Sequence, residues 1–108
     1  MPVAVLLTDD AARDLEEIHD YVAQNDAPAK ADRLIGRMEK AFAGLSKFPE
    51  RGAYPKELLA LGVREYREVF YKPYRIIHRV GAGAVYVLLI ADGRRDMQLL
   101  LQRRLLTP

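Results

Sequence analysis

The chain has no cysteine and no tryptophan among its 108 residues. Without cysteine there is no disulfide framework, no thiolate metal site and no sulfur nucleophile, which fits a cytoplasmic setting. Long hydrophobic runs are missing too. The apolar stretch at residues 3–7 lacks a basic lead and is too short for a signal peptide or a membrane span, so no membrane association is expected. Histidine occurs only as His19 and His78, and Lys72 is the only lysine after residue 62. Acid/base chemistry near neutral pH therefore has few places to reside. There is no internal repeat and no low-complexity tract. No metal-ligating pattern or cofactor motif stands out, so no metal and no cofactor are expected.

What is present describes a folded domain. Half of the residues are hydrophobic and 30% are charged, a balance suited to one domain over residues 1–108 with a core of its own. The net charge of +2 hides an asymmetry. Residues 1–62 hold eight Lys/Arg against eleven Asp/Glu, and residues 63–108 hold nine against four, eight of the nine being arginine. An arginine-rich back half points to a polyanion or an acidic partner. A mixed-charge surface with no partner is the plainer alternative.

Residues 64–96 are the organising stretch. They read as three antiparallel strands, 64–71, 74–80 and 84–91, turning at Lys72-Pro73 and at Gly81-Ala82-Gly83. Glycine supplies the positive φ that a short hairpin favours. Alternation puts Arg75, Ile77 and Arg79 on one face of the middle strand and Tyr74, Ile76, His78 and Val80 on the other. In the last strand, Val85, Val87 and Leu89 fall on one face and Tyr86, Leu88 and Ile90 on the other. Apolar on both faces, it reads as a central strand. The arginines are expected to share one surface.

Before that stretch, residues 3–7 read as a short buried strand. Thr8 then caps a helix over 9–24, with Asp9 and Asp10 in its first turn. Ala11, Leu15, Ile18 and Val22 form its apolar stripe. Asp14, Glu16, Glu17 and Asp20 are read as a solvated face, because nothing converges on them to make a catalytic or metal pair. Pro28 opens a second helix to about residue 47, with Leu34, Ile35, Met38, Ala41, Phe42, Leu45 and Phe48 as its stripe and Pro49 as its stop. The two helices must form an antiparallel hairpin. Residues 49–62 read as a loop in which Leu58, Leu59 and Leu61 tuck under the sheet or meet a partner. Asp96 caps a final helix over 97–106 whose leucines, if exposed, form a docking site. The expected fold is α+β: an N-terminal strand, a two-helix hairpin, a three-stranded antiparallel meander and a C-terminal helix.

Several short motifs, in this order, give the chain a likeness. They are Leu7-Thr8-Asp9-Asp10-Ala11-Ala12-Arg13-Asp14-Leu15, Phe48-Pro49-Glu50-Arg51-Gly52 and Val63-Arg64-Glu65. Pro73-Tyr74-Arg75-Ile76-Ile77-His78-Arg79-Val80 and Gly93-Arg94-Arg95-Asp96 follow. The chain resembles toxins of the RelE/ParE superfamily from bacterial type II toxin–antitoxin modules, over nearly its whole length. The resemblance implies growth inhibition, a role in plasmid stabilization or stress, and an oligomeric complex with a cognate antitoxin whose acidic, hydrophobic tail folds on the toxin.

The branch of the superfamily decides the chemistry. Members resembling RelE cut mRNA on the ribosome, a transfer of a 2′-hydroxyl to phosphate that needs a proton acceptor, a donor and cations. On that reading Arg75, His78, Arg94 and Arg95 are the catalytic candidates, although His78 points toward apolar neighbours and arginine is a poor base. Members resembling ParE poison DNA gyrase without a nuclease centre. On that reading Arg64, Arg67, Arg75, Arg79, Arg94, Arg95 and Arg103 are contacts for the target or the antitoxin. The ParE-like reading is preferred, and whether the chain is an enzyme is left open with it. Arg94 and Arg95 have a structural alternative, pairing with Asp92, Asp96 or the first helix. A non-catalytic nucleic-acid-binding module is the third reading.

Overall fold

The computed structural model of the chain describes residues 2–106. Residues 1, 107 and 108, which the single-domain reading includes, lie outside them. Strand β1 (Ala4–Leu7) leads into α1 (Asp9–Asn25) and α2 (Pro28–Ala43), with a 3₁₀ turn at Gly44–Ser46. A short helix α3 (Lys56–Leu59) precedes strands β2 (Arg67–Tyr71), β3 (Tyr74–Gly81) and β4 (Ala84–Asp92). Helix α4 (Met97–Leu101) then widens into a π turn over Gln102–Leu106. The architecture is α+β, as expected.

Capping explains the helix starts. The Thr8 hydroxyl accepts a hydrogen bond from the Ala11 N–H at 3.1 Å, and Asp9 and Asp10 occupy the positive end of α1. Proline opens α2, where its missing N–H costs nothing. The Asp96 carboxylate accepts from the Leu99 N–H at 3.1 Å and starts α4. The two-helix hairpin packs its apolar stripes on one sheet face, where Met38, Phe42 and Leu45 meet Ile76, Val85, Val87 and Ile90; Phe48, expected to close the second stripe, follows the 3₁₀ turn instead and is exposed. The other face is also covered. There α3 and α4 supply Leu58, Met97 and Leu101 against Ile77, Leu89 and Ala91.

The sheet joins all four strands in the order β1-β4-β3-β2, with β1 parallel to β4 and the other pairs antiparallel. This corrects the reading of residues 3–7 as a buried strand. β1 is an edge strand, and its outward residues Ala4 and Leu6 are exposed. The segment 49–62, read as loop, carries α3. Leu58 is buried there, while Leu59 and Leu61 stay exposed. β2 begins three residues later than expected. Its outer edge is lined by residues 52–54, where Ala53 bridges Glu68. Gly52 (φ 103°) makes that approach possible, since a Cβ there would lie 2.2 Å from the Glu68 carbonyl oxygen.

A β-bulge resets the faces of β4. Ile77 pairs with Leu89 but His78 pairs with Val87, leaving Leu88 without a β3 partner. Strict alternation therefore fails at Leu88. Ile90 joins Val85 and Val87 under the helical hairpin, and Leu89 joins Ala91 on the opposite face.

β1 ends alongside Val87, and β4 continues without a strand neighbour on that side. Backbone groups there still need partners. The Asp14 carboxylate accepts the Ile90 N–H at 3.0 Å. The Arg104 guanidinium donates to the Leu88 carbonyl at 3.0 Å and to both Asp14 oxygens at 2.9 and 3.1 Å. Asp14, expected on a solvated helix face, is instead turned inward, and its ion pair ties α1, β4 and the C-terminal turn together. Among the described residues, no helix is long and apolar enough to cross a membrane.

Candidate interaction site

The arginines do not share one surface. Their positions follow from the strand register, and their usefulness follows from what neutralises them. Arg75 lies on β3 beside Ile77, on the face covered by α3. Its Nε donates to Glu68 at 2.6 Å, and its two terminal nitrogens donate to the Glu57 carboxylate at 2.7 Å each. It is 8% exposed. Gly93 makes room for its stem, since a Cβ there would sit 3.0 Å from Arg75 Cδ. The fork-on-carboxylate geometry is the strong form of this pairing. It holds the Glu57 carboxyl below the usual carboxylate range, with the Arg75 hydrogen bonds outweighing burial. Arg75, expected as a contact for a target or a substrate, is thus an internal cation inside a triad of net charge −1.

His78 is fully buried. Its ring lies on the helical-hairpin face, as strand alternation predicts, and neither nitrogen has a hydrogen-bond partner of normal geometry. Burial pushes its pKa down. The nearby Pro49 and Arg51 backbone opposes that shift, and the Arg67 charge adds to it. His78 is packed in the core, with no solvent-exposed surface on its imidazole.

Arg94 and Arg95 lie in the turn after β4, both exposed. The Arg94 side chain binds Asp92, with Nε at 2.9 Å and Nη2 at 2.5 Å from its oxygens. The Arg94 hydrogen bonds hold the Asp92 carboxyl at about 2. The structural alternative for Arg94 is thus present, although its guanidinium still faces solvent. Both arginines flank an open groove of about 470 Å³ between α1 and the end of β4, lined also by Ile18, Tyr21, Tyr74 and Asp92.

Arg67 and Arg79 sit at the other end of the sheet. Arg67 pairs across from His78 and donates to the Gly52 carbonyl and the Tyr54 hydroxyl at 3.1 and 3.2 Å. Arg79 follows His78 and lies over the Tyr86 ring. Arg64 is exposed before β2, and Arg103 is exposed in the C-terminal turn. The expected single basic face is therefore corrected to two separated groups. Arg75 and Arg79, though on one face, have β4 partners Ala91 and Tyr86, so they lie toward opposite ends of the sheet. Sequence reading missed Arg51, treated as part of a turn. Its spacing from Phe48 was the available signal, and the guanidinium lies 4.6 Å from that ring's centre. Among the described residues, no cluster of three or more His, Asp or Glu is placed to hold a metal ion.

Comparison with known proteins agrees with this architecture. The family model described as the ParE toxin of the type II toxin–antitoxin system parDE matches residues 5–97. Toxin ParE3 of Caulobacter vibrioides is 29% identical over 93 residues, covering 86% of this chain and 89% of that protein. Toxin RelE2 of the same organism is 34% identical over 85 residues, covering 79% and 89%. Among solved structures, a chain of the chromosomal ParDE system from P. aeruginosa superposes with a TM-score of 0.71 at 22% identity, covering 83% of this chain and 95% of that one. A chain of the RelBE2 toxin–antitoxin complex from Mycobacterium tuberculosis gives 0.55 at 22% identity, covering 85% and 92%.

Proposed function

The chain belongs to the ParE toxin family of type II toxin–antitoxin systems, and from that membership we propose that it is a non-nucleolytic toxin acting on DNA gyrase and neutralised by a cognate antitoxin. One observation carries the reading. Two residues that a nuclease would need are closed off, Arg75 between Glu57 and Glu68 and His78 in the core. A triad of net charge −1 repels the phosphate that a nuclease must stabilise. What remains at the surface is suited to contact rather than to proton transfer: the exposed Arg64, Arg79, Arg94, Arg95 and Arg103 and the half-buried Arg67 are cations that stay protonated. Exposed Leu99 and Leu106 on the C-terminal segment add apolar area for a partner. An antitoxin tail that is acidic and apolar matches both, and such a tail gains contact area while losing chain entropy.

The second reading is a ribosome-dependent mRNA endonuclease, favoured by the 34% identity to Toxin RelE2. One pair of assays separates the two. Purified chain added to gyrase lowers supercoiling and accumulates cleaved DNA on the first reading. Translated mRNA cut within codons, with gyrase unaffected, supports the second and removes the first. Induction of the chain alone stops growth on either, and co-expression of the antitoxin restores it.

A further inference from the structure

The helical hairpin divides by charge, although residues 1–62 as a whole are acidic. Helix α1 carries six carboxylates against one arginine, whereas α2 carries Lys30, Arg33, Arg37 and Lys40 against Asp32 and Glu39. At about 100° per residue, Arg33, Arg37 and Lys40 fall within an arc of about 60°, and both carboxylates fall more than about 100° from its middle. Two contacts fix which way each set turns. Asp32 lies 2.8 Å from the His19 ring of α1. Arg37 donates to the Tyr71 hydroxyl of β2 at 3.5 Å. The carboxylates thus turn toward α1 and the cations toward β2. The backbone stays in the right-handed helical region through Gly44 and Lys47, so Lys47, two turns past Lys40, extends the row.

We infer that Arg33, Arg37, Lys40 and Lys47 form a contact for the phosphodiester backbone of duplex DNA, along the side of α2 that borders β2. All four are exposed. Among the described residues none of them forms an ion pair, whereas Lys30, at the start of the helix, is matched by Asp26 at 3.1 Å. The Tyr71 hydroxyl steadies Arg37 and leaves its charge in place. A basic row along one helix face is the electrostatic footprint of backbone binding. From Arg33 to Lys47 the row spans about 20 Å at about 1.5 Å per residue, and a duplex presents one charge per about 1.7 Å of its axis. The nearest carboxylates in sequence are Asp32, held by His19, and the exposed Glu39 and Glu50. They weaken the field, which suits a contact of moderate affinity.

The row selects among polyanions by what it lacks. Single strands are held largely by stacking bases on open aromatic faces. The rings bordering the row are engaged, Tyr71 against the core and Phe48 under the Arg51 guanidinium. An acidic protein tail that folds on binding brings apolar side chains to bury, and no large hydrophobic side chain of residues 28–47 is exposed to meet them. What the row offers is charge at fixed points on a straight helix, which suits the regular phosphates of a duplex and carries no base recognition. The choice of DNA over duplex RNA rests on the gyrase reading, while the contact itself is tested without gyrase.

Fluorescence anisotropy of a labelled DNA duplex with the purified chain, across a salt series, tests it. Four phosphate contacts predict a log–log slope of affinity against salt of about −3.6, or roughly a hundredfold weaker binding for a fourfold rise in salt. The R33A/R37A/K40A/K47A variant introduces only alanine, the best helix former, and is expected to bind about tenfold or more weakly at low salt with a slope near zero. Should that variant not fold, R33A/K40A is expected to reduce the slope by about two. R13A/K56A removes two exposed cations from α1 and α3 and is expected to bind like the parent. Absence of duplex binding at low salt overturns the inference, as does an equal loss in R13A/K56A and R33A/K40A. Preference for single strands overturns the duplex assignment, and equal or tighter binding of duplex RNA overturns the choice of DNA. A poly-glutamate peptide that binds while duplex DNA cannot displace it assigns the row to an acidic protein and overturns the inference as well. A parent that binds duplex DNA through this row yet leaves gyrase untouched removes the gyrase reading and leaves the contact standing.

Discussion

Replacing Arg75 by Met tests whether the triad is a closed internal device. The substitution keeps the bulk of the stem and removes the charge. Glu68 and Glu57, with side chains 7% and 14% exposed, then face each other with no cation between them. Breaking a buried ionic cluster by removing one partner costs about 3–5 kcal/mol. For a domain of this size each kcal/mol moves the melting temperature by about 4–8 °C, so a fall of roughly 15 °C or more is expected. The pH dependence gives a second readout. In the parent, Arg75 lowers the Glu57 pKa, so that stabilisation is present above the unfolded value and is lost as pH falls through the folded one. In the variant the Arg75 hydrogen bonds to Glu57 are gone and burial, which raises that carboxyl, is unopposed by them, so stability recovers as pH falls through its raised value. The gap between parent and variant should be widest near neutral pH and should narrow in acid. Adding E57Q and E68Q to R75M should restore much of the loss. Thermal melts followed by circular dichroism across pH read all of this. A variant that melts within a few degrees of the parent shows a solvated triad and removes the argument against Arg75 as a contact residue. A stably folded R75M that no longer inhibits growth does the same.

Three further substitutions probe the other placements. Asp14→Ala leaves the Ile90 N–H and the Arg104 guanidinium without their shared carboxylate, so a loss of about 2–3 kcal/mol is expected in denaturant titrations, with faster amide exchange at Ile90; unchanged exchange there would contradict the bridging role. His78 titrates below its ordinary value, so the parent is most stable above the unfolded histidine pKa of about 6.5 and loses stability as pH falls toward and through the depressed folded one; His78→Leu should flatten that decline and leave growth inhibition intact, and loss of toxicity in a folded variant would revive the nuclease reading. R94A/R95A should melt like the parent because both side chains are exposed, while growth inhibition weakens; a lowered melting point with full toxicity would make the pair purely structural.

Much of the fold was legible because its signals are local. Thr8 and Asp96 cap the helices that their spacing predicts, and Pro28 opens α2. The apolar period of 3.6 in both long helices is read directly from sequence. The errors arose where pairing is long-range. Nothing near residues 3–7 says that they lie beside β4 as an exposed edge. Leu88 looks like any alternating strand residue, and only its place opposite the Ile77–His78 step makes it the bulge. Asp14 carries the same signature as Glu16 and Glu17. It turns inward because β4 outruns β1 and leaves backbone groups to be covered.

The site was less legible for a related reason. An arginine is as available as its carboxylates leave it, and those partners come from far along the chain. Arg75 is closed by residues 18 and 7 positions away, and Arg104 by one 90 positions away. Counting charges in residues 63–108 finds eight arginines but cannot say which are already neutralised. Removing Arg75 and Arg104 from the available set and adding Arg51 moves the un-neutralised, ring-held cations to the His78 end of the sheet. At the Arg94–Arg95 end the groove carries Asp14, Glu17 and Asp92 beside Arg94 and Arg95, and two of those carboxylates are already matched, Asp92 by Arg94 and Asp14 by Arg104. A partner approaching the folded chain therefore meets a local pattern of charge that the net value of +2 does not describe.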